Sequence, residues 1–243
     1  KAPKGETILQ VENLVARSDK GAQALQGVSF SIREGEIFGI AGVSGNGQRE
    51  LVECLAGMRT VEAGKITLDG KEITNASSYA RWKAGLGYIP SDRNHLGSIA
   101  DFSLVENMTM NYYFDEQFQH RGTLDYRGIR KLTEEVIAEY GVKTPNADVK
   151  AKNLSGGNLQ KLILARVLSR NPRLVIADLP SQGLDIGAIE FVRNKLNEAK
   201  FKNAAVLLIS EDLDEIFALC DGIAPIYEGQ LMGIIPVEEA HRE

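Results

Sequence analysis

Asn153-Leu154-Ser155-Gly156-Gly157-Asn158-Leu159-Gln160-Lys161 sets a hydroxyl and two glycines just before an apolar run at helical spacing, Leu159–Leu168. Such a stretch offers an anion a hydroxyl, adaptable backbone N–H groups and the positive end of a helix dipole. The plainer alternative is an N-capped helix whose glycines allow close packing. Downstream, Leu174-Val175-Ile176-Ala177-Asp178-Leu179-Pro180 is an apolar run that ends on a carboxylate, and Gln182-Gly183-Leu184-Asp185 follows directly. Upstream, Glu36-Ile37-Phe38-Gly39-Ile40-Ala41 leads into Gly42-Val43-Ser44-Gly45-Asn46-Gly47-Gln48-Arg49, after which Glu50–Leu55 looks helical. Strand, glycine loop and helix in succession is the layout of a phosphate-binding loop. The glycines keep the G-x-x-x-x-G-K-[ST] spacing, but Gln48 stands where Lys is expected and Arg49 where Ser or Thr is expected. The glycines alone are weak evidence. Three elements in this order and at these separations are not a chance arrangement.

Outward from these motifs, Ile8–Leu14 and Val28–Ile32 alternate as half-buried strands. Between about Asp101 and Asn153 the pattern changes. Val105, Met108, Met110 and Tyr112 precede a loop containing Gln119-His120-Arg121-Gly122, and Ile129, Leu132, Val136, Ile137 and Tyr140 recur at helical spacing. This segment is expected to be a mostly helical insert. Beyond it, Leu159–Leu168, Leu174–Ala177, Gly187–Lys200 and Ala205–Ile209 alternate helix and strand, which predicts an α/β fold with a largely parallel sheet and covering helices.

Composition narrows the function classes. The 243 residues are 43% hydrophobic and 25% charged, ordinary for a globular domain, and the formal net charge of −5 disfavours a nucleic-acid partner. Cys54 and Cys220 are too few and too far apart for a disulfide framework, and His95, His120 and His241 have no zinc spacing with them. The polar opening Lys1-Ala2-Pro3-Lys4-Gly5-Glu6 reads as a linker in a fragment cut from a longer polypeptide.

From about Ile8 to about Ile235 the chain resembles the nucleotide-binding domains of ATP-binding cassette (ABC) transporters. It looks most like the second, C-terminal cassette of fused importers for simple sugars or nucleosides, where Gly-Asn-Gly-Gln in the P-loop and Leu-Ser-Gly-Gly-Asn in the signature are habitual. The insert from Phe102 through Tyr126-Arg127-Gly128-Ile129-Arg130 to Thr144-Pro145 is similar to the nucleoside branch. The resemblance implies an ABC-type P-loop core over residues 8–100 and 154–243 with an N-terminal antiparallel part. It also implies a helical signature subdomain over 101–153 and a linker over 1–7.

The resemblance further implies roles for single residues. Gly42, Val43, Ser44, Gly45, Asn46, Gly47, Gln48 and Arg49 are the nucleotide loop for ATP, without the lysine cation and the hydroxyl for Mg2+. Arg49 would face the metal, swing into solvent, neutralise phosphate in the metal's place, or sit on a non-functional turn. Asp178 is the Walker B carboxylate of a weak Mg2+ site. Leu179 takes the place of the glutamate that orients the attacking water, Glu211 that of the switch histidine, and Ser91 that of the lid-loop glutamine. No aromatic residue lies near Asp19, where an adenine-stacking side chain is expected. Each change alone is tolerable, and together they imply a catalytically degenerate site. Leu154, Ser155, Gly156, Gly157 and Asn158 form the signature that faces the partner cassette's nucleotide, and Asp185 is the D-loop aspartate crossing the same interface.

The expected partners are the N-terminal cassette of the same polypeptide, transmembrane permease subunits and, indirectly, an extracytoplasmic solute-binding protein. The expected place is the cytoplasmic face of the cell membrane, peripherally bound. A self-sufficient homodimeric ATPase and a soluble non-transport ABC protein are the alternatives.

Overall fold

A strand buried on one face alternates, whereas a strand buried on both faces is apolar throughout, and both patterns occur here. In the computed structural model, which describes residues 5–120 and 122–240, β1 (Thr7–Arg17) buries Ile8, Leu9, Val11, Leu14 and Ala16. It pairs antiparallel with β2 (Gln23–Arg33) and with β4 (Ala63–Leu68), to which the short β5 (Lys71–Glu72) adds, giving the order β2-β1-β4-β5. Residues 1–4 of the expected linker, Arg121 and His241 lie outside the described residues.

The second sheet follows the order β12-β11-β3-β10-β9-β6. Its centre is β3 (Ile37–Ala41), β9 (Leu174–Asp178) and β10 (Ala205–Ser210), all buried along their full length. These run parallel, and β11 (Gly222–Tyr227) adds parallel to β3. β6 (Leu86–Ile89), β12 (Gln230–Leu231) and β13 (Ile235–Pro236) complete it, the last two antiparallel to β11. The register sets Ser210 opposite Ala41 and Ile209 opposite Asp178, so β3, β9 and β10 end along one sheet edge. Ligands of open α/β sheets bind at such carboxyl ends. Phe30 of β2 stacks on Phe38 of β3 with centroids 5.3 Å apart, tying both sheets into one apolar core.

The chain divides into two compact units. The first holds both sheets, α1 (Gln48–Ala56), α2 (Ser78–Lys83) and α7 (Leu213–Leu219), from residues through Tyr88, Asn171–Pro180 and Arg193 onward. Arg81 on α2 is 1% exposed, and its guanidinium donates to the carbonyls of Cys54, Leu55, Thr74 and Ala76. It thereby adds donors to the carbonyls that end α1, where the C-cap Gly57 N–H reaches only those of Glu53 and Cys54. Cys54 and Cys220 are buried free thiols.

The second unit is Ile89–Arg170 with Ser181–Val192. It is built on α3 (Leu104–Tyr112), α4 (Tyr126–Glu139), α5 (Gly156–Leu168) and the start of α6 (Ile186–Phe201). Ser103 and Glu106 form a reciprocal capping box on α3, and Asp125 caps α4 through the Gly128 N–H. The expected helical insert also contains a small hairpin, β7 (Gln119–His120) with β8 (Thr123–Leu124). Among the described residues no helix is long and apolar enough to cross a membrane.

Candidate functional site

Residues 42–47 join β3 to α1 at the carboxyl edge of the parallel sheet, and Gln48 and Arg49 open the helix. Gly47 caps α1 at φ 105°, and a Cβ there would lie 2.7 Å from the Ala24 carbonyl oxygen, so both backbone angle and space demand glycine. α1 begins with no side-chain cap, so its first N–H groups point into the loop.

The loop supplies its own partners. Gln48 is 8% exposed and folds back: its Nε2 donates to the Val43 carbonyl at 2.9 Å, and its Oε1 accepts the Asn46 N–H at 3.0 Å. Asn46 Nδ2 donates to the same Val43 carbonyl at 2.9 Å, while Asn46 Oδ1 accepts the Glu228 N–H. The Ser44 hydroxyl donates to the carboxylate of Glu211, which directly follows β10. One loop amide and the loop hydroxyl are therefore engaged within the chain, and a carboxylate stands at the loop's tip.

Arg49 points away from the loop. Its side chain is 70% exposed, with Nε 2.7 Å from Glu53 and Nη2 3.4 Å from Asp19. Arg59 closes the cluster at 2.6 Å from both carboxylates, and its hydrogen bond holds the Asp19 carboxyl below the usual range. Without nucleotide, Arg49 is exposed and ion-paired. Asp19 is an ion-pair partner there.

Asp178 is buried at the end of β9. Tyr88 sits close enough that burial first, and the Asp178 charge second, push its phenol well above its ordinary pKa. Leu179 follows in the left-handed region at φ 44° and donates its N–H to the Ile209 carbonyl. No carboxylate is presented from that position.

In the second unit, α5 starts at Gly156, earlier than the expected Leu159, because Ser155 caps it. The hydroxyl oxygen of Ser155 accepts from the Asn158 backbone N–H at 3.4 Å and from Asn158 Nδ2 at 3.0 Å, which leaves its own proton to point outward. Asn158 is itself held through its Oδ1 by the Lys143 N–H. Ser155 and Gly156 are exposed, and Leu154, Gly157 and Asn158 are half-buried. Asp185 caps α6 through the Ala188 N–H, and a Cβ on Gly157 would lie 3.3 Å from Ala188 Cβ and 3.8 Å from Asp185 Oδ2. The structure therefore brings the signature residues and Asp185 together. Ser91 is half-buried in the same unit.

Sequence reasoning missed the inward fold of Gln48 and the Asp19–Arg49–Glu53–Arg59 cluster. Only the Arg49–Glu53 spacing of four residues on a helix was a readable signal.

The model of the ABC transporter family matches residues 25–182. A glucose import ATP-binding protein of Haloferax volcanii is 44% identical over 98% of this chain and 44% of its own length. A guanosine import ATP-binding protein of Bacillus subtilis is 41% identical over 98% of this chain and 47% of its own length. The chain thus spans less than half the length of these relatives. Among solved structures, a dimeric ATP-binding cassette in a post-hydrolysis state with ADP and Pi aligns with a TM-score of 0.80 at 22% identity, over 95% of this chain and 99% of its own. At that identity the likeness carries the fold alone. The family model spans the glycine loop, the buried Asp178 and the capped glycine signature, and with these relatives it has one reading: the chain belongs to the ABC transporter family, as one of its ATP-binding domains.

Proposed function

We propose that this chain is the second, degenerate cassette of a two-cassette ATP-binding protein in an importer for nucleosides or simple sugars. Its relatives are named for glucose, guanosine and ribose import. Its length, less than half of theirs, suits one cassette of a pair. We take residues 1–7 as linker, 8–100 with 154–243 as the ATP-binding core, and 101–153 as the signature subdomain. The N-terminal cassette of the same polypeptide would bind ATP and Mg2+ and carry the catalytic glutamate. This chain would lend it Leu154, Ser155, Gly156, Gly157, Asn158 and Asp185. Permease subunits would receive the motion at the cytoplasmic membrane face, through the surface around Ser91 and the helical subdomain, and an extracytoplasmic binding protein would deliver the solute.

The observation that carries this reading is the Gln48 amide seated inside its own phosphate loop. A nucleotide entering the loop must displace the Gln48–Asn46 bond and meet the Glu211 carboxylate, with no lysine to offset that charge. The donor set does not fit Mg2+ either. A hard cation seeks several oxygens, and position 49 presents a guanidinium already paired to carboxylates. Leu179 has no group to orient a water, a loss that commonly costs about 10²–10⁴ in rate.

The signature has the opposite character. Asn158 fixes the lone pairs of Ser155, so the hydroxyl proton is presented outward beside the amides that open α5. When Mg-ATP is bound across the interface, those groups would meet its terminal phosphate and stabilise the charge that develops there.

Titrating this chain with ATP, with and without Mg2+, tests the reading. It predicts weak affinity that Mg2+ does not improve. Tight Mg2+-dependent binding with steady turnover by the chain alone would refute it and favour the homodimeric ATPase.

A further inference from the structure

Arg93 is the residue that the roles above leave unexplained. It lies in a turn the sequence builds rigidly. The Asp92 carboxylate accepts the N–H groups of Asn94 and His95, and its carbonyl accepts those of Leu96 and Gly97. The Ser98 hydroxyl donates to the Arg93 carbonyl at 2.8 Å. Gly97 lets the turn close, since a Cβ there would lie 2.9 Å from both the Cα and the carbonyl oxygen of Arg93. The buried Arg166 guanidinium holds the same turn through the Gly97 carbonyl at 2.7 Å.

From this base the Arg93 side chain reaches the signature. A Cβ on Gly156 would sit 3.5 Å from its Nη1, and one on Gly183 would sit 3.7 Å from its Nη2. Its Nη2 donates to the Gln182 carbonyl, and this is the one acceptor it meets among the described residues. No carboxylate pairs with it among them, and burial depresses its pKa. A guanidinium carries five N–H donors in a planar fork suited to phosphate oxygens. Here it is half-buried beside the amides opening α5, whose dipole also presents positive charge. Two positive features side by side repel each other until an anion arrives, so the arrangement is complete only with one.

We propose that Arg93 is a catalytic residue delivered in trans: with Ser155 it contacts the terminal phosphate of the nucleoside triphosphate held by the facing cassette. The assignment rests on the trans-acting signature proposed above. Arg93 donates hydrogen bonds to equatorial phosphate oxygens and offsets the charge that grows as the bond to the leaving diphosphate breaks.

The test uses the complete importer in proteoliposomes, with ATP turnover as readout and Ser155→Ala as the reference variant. Arg93→Gln and Arg93→Ala should each lower kcat by about 10- to 150-fold, the range of one charged hydrogen bond, with thermal melting unchanged for Arg93→Gln. Arg93→Lys should fall between. Added guanidinium ion at tens of millimolar should restore part of the Arg93→Ala rate, while sodium at equal ionic strength should not; a purely structural arginine would show no such rescue. Ser155→Ala inactive with Arg93→Gln at the native rate would overturn the Arg93 assignment alone. Ser155→Ala at the native rate would remove the trans reading beneath it, and Arg93 with it.

Discussion

Gln48→Lys is the substitution that speaks most directly to the loop. The native amide makes two neutral hydrogen bonds, to the Asn46 N–H and the Val43 carbonyl. At about 1 kcal/mol each, their loss should destabilise the ligand-free chain by about 2 kcal/mol. For a domain of this size that lowers Tm by about 4–8 °C. The same change frees the Asn46 amide and places an ammonium where phosphate enters. One charged hydrogen bond contributes about 1.5–3 kcal/mol, so ATP affinity should rise roughly 10- to 150-fold at about 1.4 kcal/mol per tenfold. Binding of a fluorescent ATP analogue gives the affinity, and thermal melting with and without ATP gives the linked stability. The expected pattern is a lower Tm without nucleotide and a larger upward shift with it. A folded Gln48→Lys chain that binds ATP no better than the native one would refute the idea that the amide limits the loop.

Three further outcomes are expected. Glu211→Gln should strengthen nucleotide binding about fivefold at low salt, since a carboxylate near phosphate costs about 1 kcal/mol per unit charge at ~4 Å in water, with the gain shrinking as salt rises. An affinity unchanged at low salt would contradict the placement of Glu211 at the loop tip. Arg81→Ala should destabilise the chain by about 3 kcal/mol or more in urea unfolding, because it removes a buried guanidinium that donates to four carbonyls. Neither thiol should alkylate in the native chain at pH 8. Burial raises the Cys54 pKa to about 11 and that of Cys220 further still, so the Cys54 thiolate fraction at pH 8 is about 10⁻³, and rapid modification by iodoacetamide without unfolding would contradict their burial.

What the sequence made legible follows from how each feature is encoded. The central strands were readable because doubly buried strands are apolar throughout, as Leu174–Asp178 and Ala205–Ser210 are. The glycine loop was readable because Gly47 sits at an angle and in a space that other residues resist. The start of α5 was placed too late, at Leu159. Glycine is a poor helix former, yet the Ser155 cap outweighs that penalty at Gly156 and Gly157. The β7–β8 hairpin is two residues a side, too short to impose an alternating pattern. The state of Arg49 depends on Asp19, thirty residues away across the fold, which no local pattern encodes. The Gln48 side chain obeys no periodicity at all, because its partners are backbone groups whose directions exist only once the loop is formed. Arg93 escaped for the same reason, since Gly156 and Gly183 approach it only in three dimensions.

The central claim is asymmetry: this cassette serves a nucleotide that another one grips. ATP turnover by the complete importer carrying Ser155→Ala, beside one carrying Gln48→Ala, tests it most directly. The account predicts a loss of about a hundredfold for Ser155→Ala and less than a threefold change for Gln48→Ala, taking one charged hydrogen bond at the upper end of its range. The reverse pattern, with Gln48→Ala inactive and Ser155→Ala at the native rate, would contradict it.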